Sequence, residues 1–185
     1  MKELSLHILD IVQNSIRAQA TLIKIKILEN TGENILEINI WDNGIGMGKD
    51  TFEKIQDPFF TTRTTRDIGL GIPLLVQATK ECNGSFNIKS EVGKGTFIKA
   101  SFMRNHIDRA PIGNIADTMV LLIASNPKVN FIYKHVFNDK KFIRIKRVVN
   151  WIITIVLAGF LIALSSIVID DLDGTVAYPR RADFE

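Results

Sequence analysis

The sequence predicts an α+β fold, a two-layer sandwich in which helices cover one face of an open, mixed β-sheet. Some segments place apolar residues at helical spacing, and others alternate apolar with polar residues one by one. The alternating segments are typical of a sheet with one covered and one solvated face. At 185 residues, 46% of them hydrophobic, the chain is long enough for one domain with a core plus an appendage.

Charge and cysteine content exclude several classes of protein. The net charge of +3 is too small to indicate a nucleic-acid-binding protein, and no run of aromatic residues is interleaved with Lys and Arg. The single cysteine, Cys82, excludes an intramolecular disulfide and a cysteine metal cluster. The chain does not open on a secretory signal, so we expect the amino-terminal region to stay in the cytosol.

The first predicted helix covers residues 3–19, where apolar residues form a broad face at helical spacing. Asp10 and Asn14 lie four residues apart, which places both side chains on one face of that helix. A carboxylate there can position a water molecule, and an amide oxygen can bind a hard cation. The alternative for such a pair is an ordinary solvated helix face.

Two strands are predicted next, at 21–29 and 35–41, joined by a hairpin turn. We expect leucine, isoleucine and tryptophan on one side of this pair. Lys24, Lys26, Glu37 and Asn39 are expected on the other side. The hairpin would therefore belong to a sheet with one face toward solvent.

The turn Asp42-Asn43-Gly44-Ile45-Gly46-Met47 follows the second strand. Its two glycines permit positive φ angles and a close approach of the backbone to a ligand. The acid ahead of them can accept a hydrogen bond from a planar donor edge such as an adenine amino group. Ordinary turn chemistry is the alternative, because Asn-Gly and Asp-Gly pairs are common in turns.

A polar loop is predicted at 57–67, where Pro58 ends a short helical stretch and threonines accompany two arginines. Loops of this length often act as lids, and arginines there could meet phosphates with forked donors. A plain solvated loop is the alternative. Gly69-Leu70-Gly71 then precedes a predicted helix at 72–82, whose free amino-terminal amides would suit a phosphate. Strands are predicted at 85–91 and 96–102.

These pieces occur in a fixed order: acid-x-x-x-Asn, D-x-G-x-G, a threonine-rich loop, G-x-G before a helix, and G-x-G-T entering a strand. In that order, residues 4–103 resemble the ATP-binding domain shared by gyrase, the ninety-kilodalton chaperone, histidine kinases and the mismatch-repair ATPase. PFFTTR, GLGIPLL and SEVGKGTFIKASF look most like histidine kinases and anti-sigma-factor kinases, and LDIVQNSIRAQAT looks more like the mismatch-repair version. The region up to about 137 is also similar to small stand-alone bacterial ATP-binding proteins.

The resemblance implies the histidine kinase-like ATPase (Bergerat) fold with ATP and Mg²⁺ as ligands. Asp42 would receive the adenine amino group, with Thr96 helping through a water molecule. Gly44 and Gly46 would let the base sit close to the backbone. Asn14 would be the metal ligand, binding the Mg²⁺ that bridges the phosphates.

The phosphate end and the chemistry are also implied by the resemblance. The residues that would contact phosphates are Thr61, Thr62 and Arg63 in the closing loop and Gly69, Leu70 and Gly71 at the second helix. Asp10 stands where hydrolytic members carry glutamate, so the candidate catalytic acid is one methylene shorter. General base catalysis depends on fine placement of the acid, and whether the shorter Asp10 side chain reaches the attacking water is therefore an open question.

Two functions are consistent with these features. One is a Mg²⁺-dependent ATP-binding enzyme that hydrolyses ATP slowly or transfers phosphate to a separate protein. The other is a nucleotide-controlled binding module with little or no catalysis. Histidine kinases place a helix with a phosphoacceptor histidine ahead of this domain, and only a few residues precede the first predicted helix here. Autophosphorylation in cis is therefore not expected.

The organisation predicted is an ATP-binding domain at 1–104, a helix-plus-hairpin extension at 105–147, a transmembrane helix at 148–169 and a loose tail at 170–185. Residues 148–169 carry no charge, and 22 helical residues span roughly 33 Å. Basic residues precede the run and acidic ones follow it, which places the ATP-binding domain at the cytoplasmic face. A buried or dimer-forming helix is the alternative. The expected partners are ATP, an unidentified protein, the membrane and, as an option, a second copy, but no nucleic acid.

Overall fold

The computed structural model describes residues 2–48, 71–138 and 140–146, the last range with side chains as far as 143. The elements in chain order are α1 Leu4–Arg17, β1 Leu22–Asn30, β2 Ile35–Asp42, α2 Gly71–Glu81, β3 Ser85–Glu91, β4 Gly95–Met103, α3 Ile115–Ser125, β5 Asn130–Phe137 and β6 Lys140–Lys146. Three helices and six strands thus make up the described part of the chain.

The strands form one six-stranded sheet in the order β3-β4-β2-β1-β5-β6. Neighbouring strands are antiparallel except β1 and β5, which run parallel. The helices pack on one face of this sheet, and α1 contacts both α2 and α3. The predicted open, mixed sheet under helices is therefore confirmed.

The core lies between the sheet and the helices because side chains alternate along each strand. In β1 and β2 every second residue is buried, as are the apolar positions that recur along one face of α1. The largest side chains under 2% exposed are those of Leu4, Ile8, Ile11, Ile23, Ile25, Ile27, Leu36, Ile38, Ile40, Leu75, Phe102 and Phe131. Burial of each aliphatic side chain stabilises the fold by roughly 1.5–3 kcal/mol relative to exposure.

The predicted position of tryptophan on the apolar side of the hairpin is wrong. Trp41 is opposite Lys24 in the β1–β2 register, and the Lys24 Nζ lies 4.6 Å from the centroid of its ring. Because side chains alternate, Trp41 must share a face with Asn39, two residues earlier, and not with Ile40. The ring therefore lies on the open face of the sheet, under a lysine.

The helix and hairpin after residue 105 extend the same sheet. β5 pairs with β1 from Leu22 opposite Asn130 to Glu29 opposite Phe137. The chain between β4 and α3 also returns to the start of α1, where the Leu4 amide donates to the Pro111 carbonyl at 2.9 Å. The predicted segments 148–169 and 170–185 lie outside the described residues. Within the described ranges, no helix is long and apolar enough to cross a membrane.

A polar cluster ties this extension to β1. One Glu29 carboxylate oxygen lies 3.0 Å from His135 Nε2, and the other accepts from Arg104 Nε at 3.4 Å. Burial acts to raise the pKa of Glu29, but the hydrogen bond and charge of His135 and the charge of Arg104 together hold it below its usual value. The ionised carboxylate therefore joins β1, β5 and the segment after β4.

His7 predicts a pH dependence of stability. Its side chain is buried in α1, its Nδ1 has no hydrogen-bond partner among the described residues, and burial lowers its pKa. The unfolded chain then binds a proton that the folded chain rejects, so stability falls as pH drops below the ordinary value of about 6.5. We expect urea unfolding of the wild type to show a loss of at most about 1.4 kcal/mol between pH 7.5 and 5.5, the limit for one excluded proton.

The matched variants are His7→Leu, which removes the group, and His106→Gln, which removes a partly exposed histidine on the segment after β4. His7→Leu should flatten the pH profile over this range, whereas His106→Gln should keep the wild-type slope. Equal slopes for the wild type and His7→Leu would show that His7 does not cause the loss.

Candidate functional site

Asp42 ends β2 on the helix-covered face and is only 4% exposed. Its Oδ2 accepts a 2.7 Å hydrogen bond from the Ser15 hydroxyl of α1. Its Oδ1 accepts from the Gly44 amide at 2.9 Å and from the Thr96 amide at 3.3 Å. Hydrogen bonds to an ionised acceptor are stronger than neutral ones. A buried carboxylate is therefore held in one orientation where α1, β2 and β4 meet.

The two glycines of the turn allow it to pack against the chain itself. A Cβ on Gly44 would lie 2.6 Å from the Ala18 carbonyl oxygen at the end of α1. Gly46 has φ +69°, and a Cβ there would overlap the Glu91 carbonyl at the end of β3. Both positions are thus too crowded for a side chain, and the turn is fixed between α1 and β3.

The β3–β4 hairpin supports the same carboxylate from the other side. Thr96 is opposite Asp42 in the β2–β4 register, and its hydroxyl lies 2.9 Å from that of Ser90. The Ser90 hydroxyl also accepts from the Met47 amide at 2.9 Å. Gly95 precedes Thr96 with φ +92° and runs directly against the Asp42 carbonyl. The turn and the G-x-G-T hairpin therefore form one hydrogen-bonded unit.

Asp10 and Asn14 are both half-buried on α1, one helical turn apart. A Cβ on Gly71, the first residue of α2, would lie 2.8 Å from the Asp10 Cβ. The Asn14 amide oxygen accepts a long 3.4 Å hydrogen bond from Arg17. The residue after Asn14 is Ser15, which binds Asp42. Helix α1 thus connects the turn at one end of the site to the start of α2 at the other.

The structure brings together the predicted residues Asp42, Gly44, Gly46 and Thr96, and it places Asp10 against Gly71. The predictions for Thr61, Thr62, Arg63, Gly69 and Leu70 fall outside the described residues. The roles of these five residues stay predictions. The ligand predicted for each described residue also stays a prediction.

Sequence reasoning did not identify three side chains that build this region. The Ser15 hydroxyl donates to Asp42, and the Ser90 hydroxyl accepts from the Met47 amide of the turn. Asn43 joins the turn to β1, since its Oδ1 accepts from the amides of Thr21 at 2.9 Å and Leu22 at 2.8 Å. Ser15 had a signal in the sequence. It is a hydroxyl in the apolar stripe of α1, where a buried polar group needs a partner.

A groove of about 410 Å³ lies on another flank of α1. It is lined by Leu9, Gln13, Ile16 and Arg17 of α1 and by Leu121, Leu122, Ser125 and Asn126 at the end of α3. Of the predicted ligand-binding residues that the structure describes, none lines this groove, and the groove is therefore separate from the described residues around Asp42.

Comparison of the sequence with protein families gives a match over residues 2–106 to the model described as "Histidine kinase-, DNA gyrase B-, and HSP90-like ATPase". A sensor protein of Shewanella frigidimarina is 35% identical over 97 residues, which are 51% of this chain and 15% of the relative. The sensor protein kinase FleS of Pseudomonas aeruginosa is 30% identical over 110 residues, covering 60% of this chain and 27% of FleS. The chain therefore spans only a minor part of these relatives.

Solved structures show the same fold. The Aquifex aeolicus MutL ATPase domain complexed with ADP superposes with a TM-score of 0.51 at 13% identity, covering 80% of this chain and 66% of that one. The N-terminal domain of a DNA repair protein gives a TM-score of 0.51 at 16% identity, with 80% and 53% covered. At these identities the likeness concerns the fold alone.

Proposed function

Because the chain belongs to the family of histidine kinase-, DNA gyrase B- and HSP90-like ATPases, we propose that Asp42 receives the adenine of ATP. The observation that carries this proposal is the buried carboxylate with three donors around it. An ionised carboxylate offers about four acceptor sites, and the three hydrogen bonds described above leave capacity for one more donor. The exocyclic amino group of adenine supplies such a donor, and Thr96 would assist it through water.

The phosphates would lie toward Asn14 and the start of α2. The amino-terminal end of a helix has free amides and a partial positive charge, and Gly71 places that end of α2 beside α1. Gly44 and Gly46 shape the turn on which the base rests.

Asn14 is the residue that we propose for Mg²⁺. The residue is half-buried, and its amide oxygen is a hard ligand that carries only a long hydrogen bond among the described residues. Among the described residues, no three His, Cys, Asp or Glu side chains cluster as a metal site. A single protein oxygen fits Mg²⁺, which usually keeps several waters and binds phosphates. When bound, the metal would neutralise charge on the triphosphate.

We propose that Asp10 orients the water or the acceptor group that attacks the terminal phosphate, giving slow hydrolysis or transfer to a separate protein. Asp10→Asn keeps the size of the side chain but removes its basicity. General base catalysis typically contributes about 10²–10⁴-fold, so we expect ATP turnover to fall at least 100-fold. Affinity for ATP should change less than about 3-fold, because Asp10 is not proposed to hold the base.

The measurement is phosphate release in the presence of Mg²⁺, with radiolabel transfer to candidate acceptor proteins as the second readout. Asp10→Glu is the matched control, since it restores the longer acid and should keep or raise turnover. Equal turnover in the wild type and Asp10→Asn would exclude a base role for Asp10. ATP binding without turnover in all three proteins would instead favour a nucleotide-controlled binding module.

We also propose that residues 148–169 tether the domain to the cytoplasmic face of a membrane. Support comes from the uncharged run and from the basic residues that precede it. Full-length protein should sediment with membranes, and protein ending at residue 147 should stay in the supernatant. Identical fractionation of the two would contradict the tether. The protein partners that we propose are a separate substrate or docking protein and, as an option, a second copy of this chain.

A further inference from the structure

The face of the sheet opposite the helices carries a regular array of lysines. Alternation along the strands puts six of them on this face, which we call the lysine face: Lys24 and Lys26 of β1, Lys89 of β3, Lys99 of β4, Lys134 of β5 and Lys141 of β6. Five of the six strands thus contribute a cation to one continuous surface.

Carboxylates balance little of this charge. Among the described strand residues, Glu37 and Glu91 share the face. Glu37 lies 2.5 Å from Lys99 Nζ, and Glu91 lies 2.7 Å from Lys94 Nζ in the adjoining turn. Lys99 is paired with Glu37, and the lysine face carries five further lysines besides it. Lys26 and Lys134 are directly opposite each other in the β1–β5 register, where like charges repel.

Apolar side chains lie among the lysines. Trp41 and Phe97 are cross-strand neighbours near the centre, and Ile143 beside Lys134 is 54% exposed. Nucleic-acid bases need open ring faces for stacking. Here the Lys24 ammonium lies over the Trp41 ring at 4.6 Å. An exposed aliphatic residue between lysines suits the boundary of a lipid layer, where Lys stems lie along apolar surface and their charges meet headgroups.

We propose that the lysine face docks on an anionic lipid bilayer. The uncharged run at 148–169 begins two residues after β6 ends at Lys146, so the predicted membrane segment follows directly on this sheet. The docking surface is on the side of the sheet away from Asp42. A membrane on that surface would therefore not cover the side on which Asp42 and the helices lie. This inference does not depend on nucleotide binding. It adds a second contact to the proposed tether.

The test is amine labelling of full-length protein, reconstituted in vesicles of phosphatidylcholine alone or with about a third phosphatidylglycerol. Labelling is read residue by residue by mass spectrometry. We expect Lys24, Lys26 and Lys134 to be labelled at least fivefold more slowly in the anionic vesicles at about 0.1 M salt. The protection should disappear at about 0.5 M salt, because screening shortens electrostatic attraction. Lys80 and Lys128, which are exposed on and after the helices, should label equally in both.

Two triple variants distinguish the effect of the lysine face from the effect of overall charge. Lys24→Gln with Lys26→Gln and Lys134→Gln removes three face lysines, and each is worth about fivefold in binding to an anionic surface. This variant should lose protection at Lys89, Lys99 and Lys141. The second variant carries Lys2→Gln, Lys80→Gln and Lys128→Gln. It removes the same charge away from the lysine face and should keep the protection of Lys89, Lys99 and Lys141. Both variants should bind ATP like the wild type, so loss of docking is distinguishable from failure of the ATP site.

Equal labelling of the face in both kinds of vesicle would overturn the proposal. So would equal protection by a single-stranded oligonucleotide or by polyglutamate at matched charge concentration, since the face would then bind anions without selecting lipid.

Discussion

Replacing Asp42 with asparagine should weaken ATP binding by about 10-fold to 150-fold. The substitution keeps the shape of the side chain but removes the charge that Ser15, Gly44 and Thr96 now donate to. It also introduces an NH₂ group, which cannot accept from the adenine amino group. Hydrogen bonds to charged groups contribute roughly 1.5–3 kcal/mol each, and about 1.4 kcal/mol corresponds to tenfold in affinity. Titration calorimetry with ATP, with and without Mg²⁺, measures the change.

Two further variants make this result specific. Asp108→Asn removes a carboxylate whose side chain is 69% exposed on the segment after β4, and it should leave affinity unchanged. Ser15→Ala keeps the Asp42 charge but removes one donor, so we expect a smaller loss of about 3-fold to 10-fold. If folded Asp42→Asn protein binds ATP as tightly as the wild type, Asp42 does not read the base.

Gly95→Ala should destabilise the fold by about 3 kcal/mol or more and abolish ATP binding. A Cβ at Gly95 would overlap the Asp42 carbonyl, and φ is +92°, a conformation that L residues rarely adopt. Relief of the overlap requires β4 to move away from β2 at the residue pair that positions Asp42. Urea unfolding, followed by ATP titration of the protein that remains folded, measures both effects.

Gly93→Ala is the matched control within the same turn. Gly93 also has a positive φ, +79°, but a Cβ there would meet no atom of the described residues within 4 Å. The left-handed conformation alone should cost about 1–2 kcal/mol. The difference between the two variants therefore reports the contact with Asp42. Equal destabilisation by both would show that backbone conformation, and not this contact, makes glycine necessary at 95.

Local patterns were sufficient to predict most elements. The strand predicted at 85–91 has the same bounds in the structure, and the helix predicted at 72–82 differs from α2, Gly71–Glu81, by one residue at each end. Periodicity of 3.6 or 2 residues is a property of the segment itself, so it needs no knowledge of distant neighbours. The D-x-G-x-G turn was also recognisable, because glycine pairs of this kind punctuate the chain strongly.

Long-range pairing was not predictable in the same way. The residues of β5 that pair with β1 are separated from it by more than a hundred positions, and nothing local in either strand specifies a parallel neighbour. The helix and hairpin at 105–147 were consequently predicted as an extension after the ATP-binding domain, and their pairing with β1 was not foreseen. Ser15 was missed for a related reason, since its partner Asp42 is 27 residues away. The Trp41 error arose within a single strand, where an apolar residue was assigned to the core without regard to alternation.

The parallel pairing of β5 with β1 has a mechanical consequence. β1 is bonded to β5 on one side and to β2 on the other, and β2 ends at Asp42. Tension applied at the end of β6 would be carried to β1 through the β5–β6 ladder and then the β1–β5 ladder. From β1 the load would reach Asp42 through the β1–β2 ladder and through Asn43, which accepts from the amides of Thr21 and Leu22 at the start of β1. Two ladders, β5–β6 and β1–β5, thus lie between the end of the last strand and the strand that holds the Asp42 turn in place.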